Sequence, residues 1–152
     1  MRTVITYGTY DIFHTGHLAL LKRARALGNR LVVGISSDEF NRMKGKRSFF
    51  SFEERAKIVE ELKCVDEVFR EDDWDQKRAD IINRGAHVFV MGNDWDGKFD
   101  ELKDICEVVY LERTQGVSST EIKQALARID AVAIEQLRAA ISAAAEIVKA
   151  IQ

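Results

Sequence analysis

Two of the three histidines in the 152-residue chain lie three positions apart, in His14-Thr15-Gly16-His17. At i,i+3 on the first turn of a helix, both imidazoles can point the same way. Gly16 between them lets a ligand come close to the backbone. Two ring N–H donors and several amides around one spot suit a phosphate that gains charge during reaction. A zinc pair and a local helix cap are the competing readings. Zinc requires further ligands, and Asp11, Cys64, His87 and Cys106 show no ligand spacing.

The neighbouring residues must position the pair. Thr3-Val4-Ile5-Thr6-Tyr7 is short, β-branched and closed by Gly8, and reads as a buried strand. Residues 18–27 are apolar at helical spacing and stop at Gly28. Residues 8–17 are therefore expected to form a strand-to-helix turn at the carboxyl edge of a parallel sheet. Ligands bind at that edge, where a helix N-terminus offers free N–H groups and a positive dipole end.

The stretch resembles the HxGH signature of the nucleotidyltransferases, in their cytidylyltransferase branch. Downstream, Arg113-Thr114-Gln115-Gly116-Val117-Ser118-Ser119-Thr120 is similar to that branch's RTEGISTT signature. Val88-Phe89-Val90-Met91-Gly92-Asn93-Asp94-Trp95-Asp96-Gly97-Lys98-Phe99-Asp100 resembles the segment typical of the glycerol-3-phosphate cytidylyltransferases. The resemblance covers roughly residues 2–127. It implies transfer of the cytidylyl group of CTP to sn-glycerol 3-phosphate, with Mg²⁺ accompanying the nucleotide and the product feeding teichoic-acid precursor supply.

The resemblance also assigns residues. His14, His17, Lys44 and Arg113 are the expected catalytic group. Thr9, Tyr10, His14, Thr15, Gly16, His17, Lys46, Asp94 and Arg113 to Thr120 (Thr114, Gln115, Gly116, Val117, Ser118 and Ser119 between them) would contact the nucleotide. Lys44, Arg55 and Lys77 would collect the acceptor phosphate. Gln115, Val117 and Ser119 depart from the signature while keeping plausible shape and the hydroxyls; Lys63 stands where relatives often carry arginine. Another phosphorylated acceptor such as ethanolamine phosphate, ATP as donor, or a family fold used as an assembly scaffold are the alternatives.

In order along the chain, residues 31–36 read as a second strand. Ser36 and Glu39 have capping-box spacing for a short helix to about Arg42. Lys44-Gly45-Lys46-Arg47 follows as a basic loop that glycine lets fold over a site. Ser51 and Glu54 form a second capping box, on a helix expected to bury Phe52, Ile58, Val59 and Leu62. Residues 66–70 read as a weak third strand. Asp72 or Asp73 is expected to cap a helix over 74–84, closed by Gly85. Strands at 87–92 and 107–111 follow, and Ser118 with Glu121 forms a third capping box. The pattern predicts an α/β fold, a Rossmann-like doubly wound parallel sheet of about five strands with a C-terminal helical extension.

Composition sets the limits. A net charge of −2 with 32% charged residues gives no basic face for nucleic acid. No apolar run reaches membrane-spanning length. Two cysteines make no disulfide framework, and the cytoplasm is the expected compartment. No GxGxxG or P-loop motif is present. The catalytic domain is expected over residues 1–129. Residues 130–152 form an alanine-rich helix whose narrow stripe suits pairing in a homodimer or higher homo-oligomer. High alanine and the absence of proline suggest an engineered extension or a variant natural tail.

Overall fold

The computed structural model describes all residues except Thr114, Gln115, Val117 and Gln152. The chain forms two compact units, residues 1–117 and residues 118–152.

The first unit alternates strands and helices: β1 (Thr3–Gly8), α1 (Thr15–Arg25), β2 (Arg30–Ser36), α2 (Asp38–Met43), α3 (Phe52–Glu60), β3 (Glu67–Glu71), α4 (Gln76–Arg84), β4 (Val88–Gly92) and β5 (Glu107–Leu111). Short 3₁₀ turns cover Asn93–Trp95 and Asp100–Asp104. The five strands are all parallel, in the order β3-β2-β1-β4-β5. The period-two alternation of side chains divides each central strand between two cores. Val4, Leu31, Val33, Ile35, Val88 and Val90 face α1 and α3, burying Leu21, Ala24 and Val59. Ile5, Tyr7, Val32, Phe89 and Met91 face the other way, onto Ile81, Phe99 and Leu102. Strands buried on both faces explain the continuous apolar runs in the sequence.

The order places β1 between β2 and β4, so the chain leaves β1 for one side and reaches β4 from the other. Outside the carboxyl ends of β1 and β4 the loops diverge and open a crevice, the expected ligand position in such sheets.

Local signals held with three displacements. The short helix α2 is capped by Ser37, whose Oγ accepts from the Phe40 amide, instead of by Ser36 and Glu39. Strand β2 runs one residue further than the cap spacing implies, leaving Ser36 free for other work. Helix α4 starts at Gln76, not Trp74, and neither Asp72 nor Asp73 caps it by its side chain. The Gln76 carbonyl oxygen instead accepts from both their amides. On α3, the Ser51–Glu54 capping box forms, but Ile58 is exposed and Arg55 takes the buried position beside Val59. Gly85 closes α4 in the left-handed conformation, as the sequence implies.

The second unit is one helix, α5 (Ser119–Ile151). Its Ser118–Glu121 capping box forms: the Glu121 amide donates to Ser118 Oγ, and the Ser118 amide to Glu121 Oε2. Position 130 lies inside this unbroken helix, and Ile129, Leu137, Ile141, Ile147 and Val148 are exposed.

Candidate active site

His14 and His17 sit at the start of α1 and cap it reciprocally. The Gly16 amide donates to His14 Nδ1 (3.0 Å), and the His14 amide donates to His17 Nδ1 (3.2 Å). This is a capping box built from imidazoles. The rings stack, with centroids 3.9 Å apart. Capping and chemistry are therefore not alternatives. Each Nδ1 is occupied as an acceptor, so a neutral ring carries its proton on Nε2. His14 Nε2 is buried and has no hydrogen-bond partner among the described residues, a donor that calls for one.

The same protonation pattern disfavours zinc, which would need a bare Nε2 lone pair. The third histidine lies at the opposite sheet edge, where its Nδ1 accepts from the Thr3 amide. Among the described residues no three His, Cys, Asp or Glu side chains converge as a metal cage.

Electrostatics keep the pair neutral. Burial, then the neighbouring His14, pushes His17 down to about 4, against the opposing pull of Asp11. Burial and the nearby Arg113 charge lower His14. Arg113 is exposed just past the end of β5, and its charge lowers His14.

The loop between β1 and α1 is held in an uncommon shape. Tyr10 and Ile12 have φ of 55° and 48°, conformations side chains adopt rarely. Asp11 between them is buried and accepts from the amides of Phe49 (2.6 Å) and Phe50 (3.0 Å). Asp11 thus ties the segment after α2 to the β1 loop. Tyr10 turns inward, edge-on to His17, and its ring occupies the space a Cβ on Gly8 would need.

A second cluster lies beside the histidines. A cleft of about 90 Å³ is lined by Tyr7, Thr9, Ser36, Lys44, Lys46, Glu71, Trp74, Lys77 and Trp95. Two of its lysines flank a rigid corner. The amides of Gly45 and Lys46 donate to the carbonyls of Arg42 and Asn41, and Gly45 has φ +74°, a Schellman cap on α2. The glycine expected to let a loop fold over the site instead fixes Lys44 and Lys46 on either side of a helix end.

Within the cleft, Lys44 Nζ donates to Ser36 Oγ (3.0 Å), Ser36 Oγ to Glu71 Oε1 (3.1 Å), and Lys77 Nζ to Glu71 Oε2 (2.6 Å). Burial lowers Lys44 to about 8; Glu71 opposes the shift, while Lys46, Lys77 and Arg55 add to it.

Arg55 is not brought to this cleft. It is 1% exposed, and four of its five N–H groups donate to the carbonyls of Phe50, Thr9 and Ser36 and to Asp38. Its guanidinium is a strut behind the site. Asp94 is exposed on the 3₁₀ turn after β4 and does not line the cleft; Trp95 does. Thr15 is exposed at the α1 start, beside Gly16. Gly116 is exposed. Thr114, Gln115 and Val117 lie outside the described residues. Ser118, Ser119 and Thr120 belong to the second unit, with Ser118 capping α5.

Sequence reasoning missed Ser36, Glu71, Trp74 and Tyr7. Ser36 and Glu71 meet because β2 and β3 pair them in register at the sheet's carboxyl edge, which no local motif announces.

A parallel sheet with a histidine pair on the first βα turn and a lysine-lined cleft beside it defines a class, the cytidylyltransferase-like family. The family model matches residues 5–125, and the chain belongs to that family. It is 57% identical to the glycerol-3-phosphate cytidylyltransferase of Bacillus subtilis over 127 residues, 84% of this chain and 98% of the relative. The enzyme of that name from Staphylococcus aureus is 52% identical over 131 residues, 86% of this chain and 99% of the relative. Among solved structures, a lipopolysaccharide core biosynthesis protein from Thermoplasma volcanium superposes with a TM-score of 0.65 at 28% identity, covering 77% of this chain and 99% of that one.

Proposed function

We propose that the protein transfers the cytidylyl group of CTP to sn-glycerol 3-phosphate, releasing pyrophosphate and CDP-glycerol. The observation that carries this reading is the buried His14 Nε2 donor, unpartnered among the described residues, at the same sheet edge as a lysine-lined cleft. The 52–57% identity to the two glycerol-3-phosphate cytidylyltransferases supports the choice of substrates.

The nucleophile is an acceptor phosphate oxygen, largely ionised at pH 7 because its second pKa is about 6. No general base is needed. The oxygen attacks the α-phosphorus of CTP, and the bond to the bridging oxygen breaks as pyrophosphate leaves. The protein's task is to position two anions and stabilise charge as it builds on the phosphoryl oxygens. His14 and His17, held neutral with their protons on Nε2, donate to those oxygens. Arg113 adds a positive charge beside them, and Lys46 adds another from the nucleotide side of the cleft. Lys44 and Lys77 hold the acceptor, Lys44 at its phosphate.

Arg113 to Thr120 (Thr114, Gln115, Gly116, Val117, Ser118 and Ser119 between them), with Thr9, Tyr10, Thr15, Gly16 and Asp94, complete the proposed nucleotide contacts. Mg²⁺ brought with the triphosphate would offset part of its charge and would be held by phosphate oxygens and water, while Lys44, Lys46 and Lys77 act on the anions directly. CDP-glycerol made here would serve as a teichoic-acid precursor in the cytoplasm.

Pyrophosphate release with glycerol 3-phosphate, followed for each nucleoside triphosphate, tests the assignment. CTP should outpace ATP, GTP and UTP by a wide margin; equal or faster turnover of ATP overturns it.

Lys44 gives the reaction an alkaline limit. Its ammonium is charged below about 8 and loses its proton above, so kcat/KM for the acceptor should fall as pH rises through 8. The acid limb should follow the acceptor phosphate near 6, with no inflection from His17, which is already neutral there. In Lys44→Arg the alkaline limb should disappear from the range below pH 9, because a guanidinium stays charged. A pH–rate profile unchanged by that substitution would remove Lys44 from the acceptor site.

The exposed stripe of α5 supports a homo-oligomer, since each Å² of apolar surface it buries contributes about 25 cal/mol. Removing residues 130–152 should lower the number of chains per particle in light scattering and leave activity per chain unchanged. An unchanged number of chains would exclude α5 from assembly.

A further inference from the structure

The cleft contains the materials of an ammonium site, but its own side chains already fill it. A cationic ligand group is held in a protein by a carboxylate or by aromatic faces. Here the lining carboxylate is Glu71, 2% exposed, with Oε2 engaged by Lys77 and Oε1 by Ser36. Lysines also stand over the nearby rings. Lys77 Nζ lies 4.7 Å from the Tyr7 ring centroid, 5.1 Å from Trp74 and 5.4 Å from Phe99. Lys44 Nζ lies 4.2 Å from Phe40 and 5.5 Å from Trp74. Lys98 Nζ stands 5.3 Å from Trp95.

We propose that Lys77, seated on Glu71 and the Tyr7, Trp74 and Phe99 rings, selects the charge of the acceptor's free end, admitting phosphates with a neutral polyol tail and refusing those with an ammonium tail. The inference rests on the acceptor site assigned above and deepens it. Lys77 is a tethered cation in the place an ammonium substrate would take. A hydroxyl tail needs only hydrogen-bond partners, which Ser36 and Glu71 supply. An ammonium tail meets the charges of Lys44, Lys46 and Lys77, with the Glu71 carboxylate already carrying Lys77. Without the Lys77 charge, Glu71 and three aromatic faces would become available to exactly such a tail.

The test uses two acceptors of equal size, 2-hydroxyethyl phosphate and 2-aminoethyl phosphate, with CTP, measuring kcat/KM for each. The full-length protein should prefer the hydroxyl compound by about tenfold or more, the scale of a like-charge contact near a protein surface. Lys77→Met keeps the aliphatic stem. It should lower kcat/KM for the hydroxyl compound and bring the ratio to one or below. Adding Glu71→Gln to Lys77→Met should restore preference for the hydroxyl compound, because the freed carboxylate is gone. Glu71→Gln alone leaves Lys77 charged and should raise the ratio above that of the unaltered protein. It also serves where Lys77→Met fails to fold.

A ratio near one in the unaltered protein, equal losses for both acceptors in Lys77→Met, or a lower ratio in Glu71→Gln would each overturn the proposal. Absence of any turnover of sn-glycerol 3-phosphate by the unaltered protein would instead refute the acceptor assignment itself, which separates the two failures.

Discussion

Replacing His14 with asparagine should lower kcat by about 10²–10³, the scale for losing one preorganised transition-state donor, while Tm stays nearly constant. Asparagine is a strong N-cap, and its Oδ1 can accept from the Gly16 amide as His14 Nδ1 does now. What it lacks is a group where the ring presents Nε2. His17→Gln makes the matching test at the third helical position, where glutamine completes a capping box but cannot place a donor at the Nε2 position. His14→Ala and His17→Ala remove both functions and should lose Tm as well as kcat. Steady-state kinetics beside thermal melts separate the two roles. If His14→Asn retains near-normal kcat, the pair is a cap and nothing more.

Arg55→Met should act on the fold before it acts on the reaction. The substitution leaves the carbonyls of Thr9, Ser36 and Phe50 and the Asp38 carboxylate without the donors they have now. Asp38 itself is held below the usual carboxylate range by the Arg55 and Phe52 hydrogen bonds, against partial burial. Removing one partner of a buried, hydrogen-bonded ion pair costs about 3–5 kcal/mol. That lowers Tm by roughly 10 °C or more in a domain of this size. A calorimetric scan decides the matter. A change in KM for the acceptor at unchanged Tm would return Arg55 to the pocket that the resemblance implies for it.

Arg55 shows where a sequence stops being readable. Its charge suits an anion, and position 55 on a capped helix gives no sign of facing inward. Burial was decided by three carbonyls from segments 5, 19 and 46 residues away in sequence. The strands were readable because burial on both faces writes itself as continuous apolar runs, and α1, α3 and α5 because their caps and periodicity are local. The shift of the cap from Ser36 to Ser37 had a physical origin. Two adjacent serines precede the same acidic turn, and sheet pairing with Glu71, not cap spacing, chose between them. The histidine pair was visible as a motif; its tautomers followed only once the Nδ1 partners were known. The cleft was half visible. Lys44, Lys46 and Lys77 came from resemblance, whereas Glu71 and Trp74 needed the folded sheet edge to bring them there.

The imidazole capping box carries one more consequence, for dynamics. The hydrogen bonds that close the first turn of α1 are the bonds that aim both Nε2 donors, so the turn cannot fray without disarming them. Local opening and loss of reactive geometry are then a single equilibrium. The Gly16 amide, whose proton lies on His14 Nδ1, becomes a natural reporter of it. Its hydrogen-exchange protection measures the fraction of molecules whose site is assembled before any substrate arrives.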